Sequence, residues 1–163
     1  MTQHAFRPAL SAFLRELASN NTRDRFRANK GRYEDYVRGQ ALGFIAEYAP
    51  GLEEISHHFV ADPRPSGRSL FRIHHDVRFS KDKRPYKTTT GIHLRHEAAK
   101  NAYAPGYYLH LEPRNVFIGI GIWHPETKVA RQIRNAIAEN PTGWKRARDP
   151  RSSRRSSHSK VRV

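Results

Sequence analysis

The chain has 163 residues, 37% of them hydrophobic, no cysteine, and a formal net charge of +15. This length suits one domain with a real core, and the lack of cysteine excludes disulfides, thiolate metal sites and a cysteine nucleophile. No apolar run approaches the roughly 18 residues that span a bilayer, and Arg7, Arg15 and Glu16 interrupt the basic-then-apolar order of a secretory signal, so a soluble, cytoplasmic protein is expected.

The first third reads as helix. In FRPALSAFLRELASNN, Phe6, Leu10, Phe13, Leu14 and Leu17 recur at three- and four-residue intervals and share one apolar face. Pro8 fits a first turn, where its missing N–H costs nothing. Asn20 and Asn21 stop this helix, and Asn21 suits the N-cap of the next. That second stretch, TRDRFRANKGRYEDYVRGQALGFIAEYAPGL, turns Phe26, Tyr33, Val37, Phe44 and Ile45 inward. Gly31 and Gly39 each lower helix propensity by about 1 kcal/mol, so a break is expected near one of them, and Pro50–Gly51 is expected to end the helix.

Strand signals begin near Ile55. ISHHFVA is a short candidate, the link DPRPSG follows, and SLFRIHHDVRF alternates loosely. TTTGIHLRH, GYYLHLEP and NVFIGIGIW are the clearest strands, and the last two flank EPRN, which reads as a hairpin turn. Val116, Ile118, Ile120 and Ile122 share a face, while Gly119 and Gly121 thin the opposite one, as at a bulge or a close backbone approach. PETKVARQIRNAIAEN then predicts a helix with Pro125 at its start and Val129, Ile133, Ala136 and Ile137 on a buried stripe. The order predicts an α+β domain over residues 1–143, with N-terminal helices, a mostly antiparallel sheet ending in a hairpin, and a closing helix.

From Trp144 onward the sequence changes character. This tail holds eight Lys or Arg and one acid, leaving 22 basic and 14 acidic residues over 1–143. Residues 144–163 read either as a disordered basic tail or as translation out of the native frame of a GC-rich coding region. A field of this sign concentrates anions, including nucleic acids and anionic lipids, without choosing among them.

Function concentrates in FRIHHDVRFSKDKRPYKTTTG, where Arg72, Arg78, Lys81, Lys83, Arg84 and Lys87 face only two acids, Asp76 and Asp82. If Arg72–Ser80 is extended, its two-residue period sets Arg72, His74, Asp76, Arg78 and Ser80 on one face and Ile73, His75, Val77 and Phe79 on the other. Two guanidinium groups on one face could grip a multi-oxygen anion bidentately. Asp76 between them could orient them, bind a metal or act as a base. Ser80 or Asp82 suits a turn cap, and Tyr86 offers a ring for stacking among cations. The plainer reading is that the lysines blunt a sheet edge and the arginines pair with surface acids.

Other chemistry is weaker. Adjacent His57–His58 and His74–His75 point to opposite sides of a strand, and HLRHE lacks the spacing of a zinc helix. His110 and Glu112 share a strand face and with Asp76 could hold a metal, although solvent-facing polar residues explain them equally. There is no Gly-x-Ser-x-Gly elbow, and Gly119-x-Gly121 opens no helix. Tyr107, Tyr108, Phe117 and Trp123 are expected in the core or a pocket wall.

NNTRDRFRANKGRYEDYV, SLFRIHHDVRFSKDKRPYKT, GYYLHLEPRNVFIGIGIWHPE and IRNAI resemble an uncharacterised family, domain of unknown function 2461, over about residues 6–143. The resemblance implies that Arg72, Asp76, Arg78, Ser80, Lys81, Asp82, Lys83, Tyr86 and Lys87 form the family's signature and that Asn20, Asn21 and Phe26 form a second element. His75 stands where similar members carry Arg. Similar members continue with a Lys/Pro/Gly-containing segment that the Arg/Ser tail here replaces. The resemblance implies no reaction.

The expected function is binding of a phosphate-bearing anion, either nucleic acid or a phosphorylated metabolite. The ligand residues are Arg72, Arg78, Ser80, Lys81, Lys83, Tyr86 and Lys87. One alternative is an enzyme acting on a phosphoester or similar anionic substrate, with Arg72 and Arg78 stabilising charge and Asp76 or Asp82 as base or metal ligand. Another is an interaction protein whose basic loop meets an acidic partner. No cofactor can be read from the sequence.

Overall fold

Four apolar residues of the first helical stretch, Leu10, Phe13, Leu14 and Leu17, are buried along one side of α1 (Pro8–Ser19), where the spacing places them. They are seen in a computed structural model that describes residues 6–65, 69–97 and 105–149. The chain falls into two compact units, Met1–Trp123 and His124–Val163.

In the first unit, the second helical stretch is broken rather than continuous. It forms α2 (Arg23–Ala28), α3 (Lys30–Tyr33), a π-helical turn (Glu34–Arg38) and α4 (Gly39–Ile55). The break before α3 falls at Asn29, and the wide turn ends at Gly39. Thr22, not Asn21, caps α2: its hydroxyl accepts from the Arg25 N–H at 3.3 Å. Pro50 does not end α4. Its fixed φ is compatible with a helix, so it removes one hydrogen bond, while buried Leu52 anchors the turn beyond it.

The sheet has four strands in the order β1-β2-β3-β4, all antiparallel: β1 (Phe59–Val60), β2 (Thr90–His96), β3 (Gly106–Glu112) and β4 (Asn115–Gly121). Glu112 pairs with Asn115 across a two-residue turn whose Arg114 has φ 69°, the hairpin expected from EPRN. β1 is only two residues long: Ile55 belongs to α4, and His57–His58 form a turn. SLFRIHHDVRF forms no strand and makes only single bridges, Leu70 to Ile92 and His74 to Tyr86. The unit is α+β, with helices preceding the sheet.

Ile92, Leu94, Leu109 and Leu111 occupy one sheet face and pack against the helical layer. Val116, Ile118 and Ile120 of edge strand β4 lie on this same face by register but are exposed. The opposite face carries Gly91, His93, Tyr108, His110, Glu112 and Phe117. Trp123, expected in the core or a pocket wall, is 72% exposed.

The described part of the second unit is α5 (Thr127–Glu139) and α6 (Pro141–Arg148). α5 forms where the spacing predicts, but none of its residues is buried, and Ile133 and Ala136 of the expected stripe are exposed. The one other described helix of that unit is eight residues long and mostly polar, too little surface to cover a stripe. Trp144–Arg148, at the start of the stretch read as a tail, are helical, whereas residues 150–163 lie outside the described residues. Among the described residues no helix is long and apolar enough to cross a membrane.

Candidate functional site

The signature segment is a loop closed by its own backbone. The His75 N–H donates to the Pro85 carbonyl at 2.9 Å and the Lys87 N–H to the Ile73 carbonyl at 2.8 Å, so residues 76–84 project from a short antiparallel neck. Ile73 is buried and roots the neck in the core, whereas Phe79 is 94% exposed. The expected two-residue alternation therefore holds near the neck and fails at the tip, where the backbone turns.

Inside the loop the acids are already engaged. The Asp76 carboxylate accepts from Arg78 Nε at 3.0 Å, Arg78 Nη2 at 2.8 Å and the Arg78 backbone N–H at 3.2 Å. Asp82 holds Arg84 in the same way, through Nε at 3.0 Å, Nη2 at 2.6 Å and the backbone N–H at 3.0 Å. Asp62 and Arg64 repeat the arrangement outside the loop. In this Asp-x-Arg fork the aspartate builds its own turn and receives a planar bidentate donor two residues on. The guanidinium hydrogen bond, followed by the backbone N–H, lowers the carboxyl pKa of both Asp76 and Asp82 to about 2.

These contacts revise two expectations. Arg78 does not stand beside Arg72 as an open guanidinium row, because its fork is directed at Asp76. Asp76 and Asp82, read as candidate bases, each already accept a guanidinium fork and a backbone N–H.

Ser80 accepts from the Asp82 N–H at 3.1 Å and so shapes the turn. Lys83 Nζ donates to the Val77 carbonyl at 3.0 Å, folding its ammonium back onto the loop. Arg72 and Lys81 are exposed, and among the described residues neither has an ion pair. Lys87 is half-buried with Nζ 5.8 Å from the Phe71 ring centroid, and burial draws its pKa below the ordinary lysine value.

Tyr86 has a different task from the stacking surface expected. It is 8% exposed and stacks on Phe26 at 4.0 Å, with its ring in the core. Asn21 brackets its backbone: Nδ2 donates to the Tyr86 carbonyl at 2.8 Å, and Oδ1 accepts from the Tyr86 N–H at 3.1 Å. The segments Asn20–Phe26 and Arg72–Lys87, which resemble one family's two elements, therefore meet through this amide clamp and aromatic stack. No local sequence signal joins residues 65 positions apart; only the fold brings them together.

Among the described residues no group of three or more His, Asp or Glu is arranged to hold a metal ion. His110 and Glu112 are hydrogen-bonded to each other at 3.2 Å, and Asp76 is held by Arg78. No curated protein and no solved structure matches the chain. Residues 9–161 match the family described as Conserved hypothetical protein (DUF2461), and the chain belongs to that family.

Proposed function

We propose that the loop Arg72–Lys87 binds a phosphate-bearing anion, nucleic acid or a phosphorylated metabolite, in a soluble cytoplasmic protein. One observation carries this reading: the loop's two acids are taken by Arg78 and Arg84, which leaves Arg72, Lys81, Lys83 and Lys87 without a carboxylate partner among the described residues. Cations so placed raise the local concentration of polyanions, and a phosphate near Lys87 would restore the stabilisation that partial burial removes. Arg78 joins the site when a ligand phosphate displaces Asp76.

The test is fluorescence anisotropy with mixed-sequence DNA and RNA oligonucleotides at low salt, together with a thermal-shift screen of phosphorylated metabolites. Binding that weakens for Lys81→Ala and Lys83→Ala and strengthens for Asp76→Asn, which frees Arg78, supports the reading. Absence of oligonucleotide binding rejects the nucleic-acid version, and absence of any thermal shift as well rejects the anion site.

A further inference from the structure

The sheet face opposite the helices carries a line of polar side chains that the loop does not use. Residues 108, 110 and 112 of β3 fall on this face, and neighbouring side chains are hydrogen-bonded in sequence. Tyr108 Oη lies 3.1 Å from His110 Nδ1, His110 Nε2 lies 3.2 Å from Glu112 Oε2, and Asn115 Nδ2 donates to that same oxygen at 3.1 Å.

The direction of the proton chain follows from the carboxylate. The Asn115 and His110 hydrogen bonds hold the Glu112 pKa below its ordinary value, so the carboxylate is ionised at neutral pH and only accepts. His110 must then carry its proton on Nε2, which leaves Nδ1 to accept the phenolic O–H of Tyr108. The imidazole plane is fixed by Phe117, stacked on it at 4.8 Å and 15°.

The phenol lies over a glycine. A Cβ at Gly91 would come within 2.8 Å of Tyr108 Oη and of Phe71 Cδ2, so glycine there lets both rings sit over β2. On the β4 side, Gly119 pairs with Tyr108 and Gly121 with Gly106, so neither position adds a side chain to this face. A Cβ at Gly119 would meet only the Tyr108 carbonyl oxygen, at 4.0 Å, and one at Gly121 would meet nothing within 4 Å.

We propose that Tyr108 is a nucleophile activated by His110 and Glu112, and that the site takes an acyl group from an activated acyl donor. Burial raises the Tyr108 pKa, so the phenol keeps its proton at neutral pH and needs a base as it attacks. In the step, Tyr108 Oη bonds to the acyl carbon while its proton moves to His110 Nδ1. The bond from the acyl carbon to the leaving group then breaks, and the leaving group departs with its electron pair. The resulting imidazolium is stabilised by Glu112, and the product is an O-acyl tyrosine. An ordinary tyrosine phenol has a pKa of about 10 and burial raises this one, so only donors with a better leaving group, such as nitrophenyl esters or thioesters, pass the acyl group forward. Tyr108 is the catalytic residue; His110 and Glu112 act through it.

The experiment is reaction of the full chain with p-nitrophenyl acetate, followed by release of p-nitrophenolate and peptide mapping of the acetyl group by mass spectrometry. Tyr108 is expected to be acetylated at least about tenfold faster than exposed Tyr48 in the same molecule, and His110→Gln is expected to cut that rate by about 100-fold. The wild-type reaction should show a solvent deuterium isotope effect, since the phenolic proton moves to the imidazole as the phenol attacks, and His110→Gln should abolish that effect while leaving far-UV circular dichroism unchanged. His93 and Arg95 on β2 and Glu112 on β3 are the charged or titratable groups on this sheet face that set the field at the imidazole. Acetylation of Tyr108 no faster than Tyr48 overturns the proposal even if every variant unfolds. A rate untouched by His110→Gln in a folded variant overturns it equally.

Discussion

Each Asp-x-Arg fork commits a carboxylate and a guanidinium two residues apart, so the surface carries fewer open arginines than composition suggests. The two forks of the loop are largely exposed, and salt-screened pairs of this kind contribute little to stability, so their consequence lies in charge state and availability. Asp62, Asp76 and Asp82 all have pKa values near 2, with the guanidinium hydrogen bond as the largest cause. A folded-state pKa below the unfolded value of about 3.9 means that the contribution is present above that value and is lost as pH falls toward 2. Carboxyl carbon NMR should therefore give midpoints near 2 for these aspartates, and Arg78→Ala should move Asp76 back toward the ordinary value. Asn21 is the residue whose loss should cost more. Asn21→Ala leaves the Tyr86 N–H and carbonyl without their partners. It should destabilise the chain by about 1–3 kcal/mol in urea denaturation. Neither role was legible in the sequence, because Asn21 reads locally as a cap and Tyr86 as a ring among cations.

Elements with strong periodicity or clear turn chemistry appear where the sequence places them. α1 has four large apolar residues at helical spacing, and the β3–β4 hairpin has its Pro and Asn turn. Elements whose outcome depends on neighbours do not. α4 runs through Pro50 because burial of Leu52 and Ile45 outweighs one lost hydrogen bond. Pro50→Ala restores an N–H to the Ala46 carbonyl, while making the unfolded chain less constrained. The net expectation is stabilisation by about 1–3 kcal/mol, read as a higher urea midpoint with unchanged slope. SLFRIHHDVRF alternates like a strand yet stays a loop, since a strand also needs a partner edge, and β2 offers it only the Leu70 bridge. The α5 stripe is periodic as predicted and still unburied, because periodicity fixes which residues share a side and not what covers them.

At the scale of the whole molecule, charge is the dominant fact. The net charge of +15 predicts association with polyanions that weakens steeply with salt. Removing Lys81 or Lys83 should lower the slope of log affinity against log salt by about 1 each, if each meets one phosphate. Anisotropy titrations over a salt series measure that slope, and an unchanged slope in both variants would place the contacts elsewhere on the chain.

By itself the sequence determined the α+β order, the apolar face of α1, the hairpin, the family kinship and the cationic loop. These rest on local periodicity, turn residues and composition, all of which act between near neighbours. The tertiary structure alone decided that Arg78 is held by Asp76, that Tyr86 faces the core under Asn21, and that Gly91 lets the Tyr108 ring lie over β2. Side-chain partnership and free volume depend on where the backbone turns and on which strands lie adjacent, and no window of the sequence contains that information.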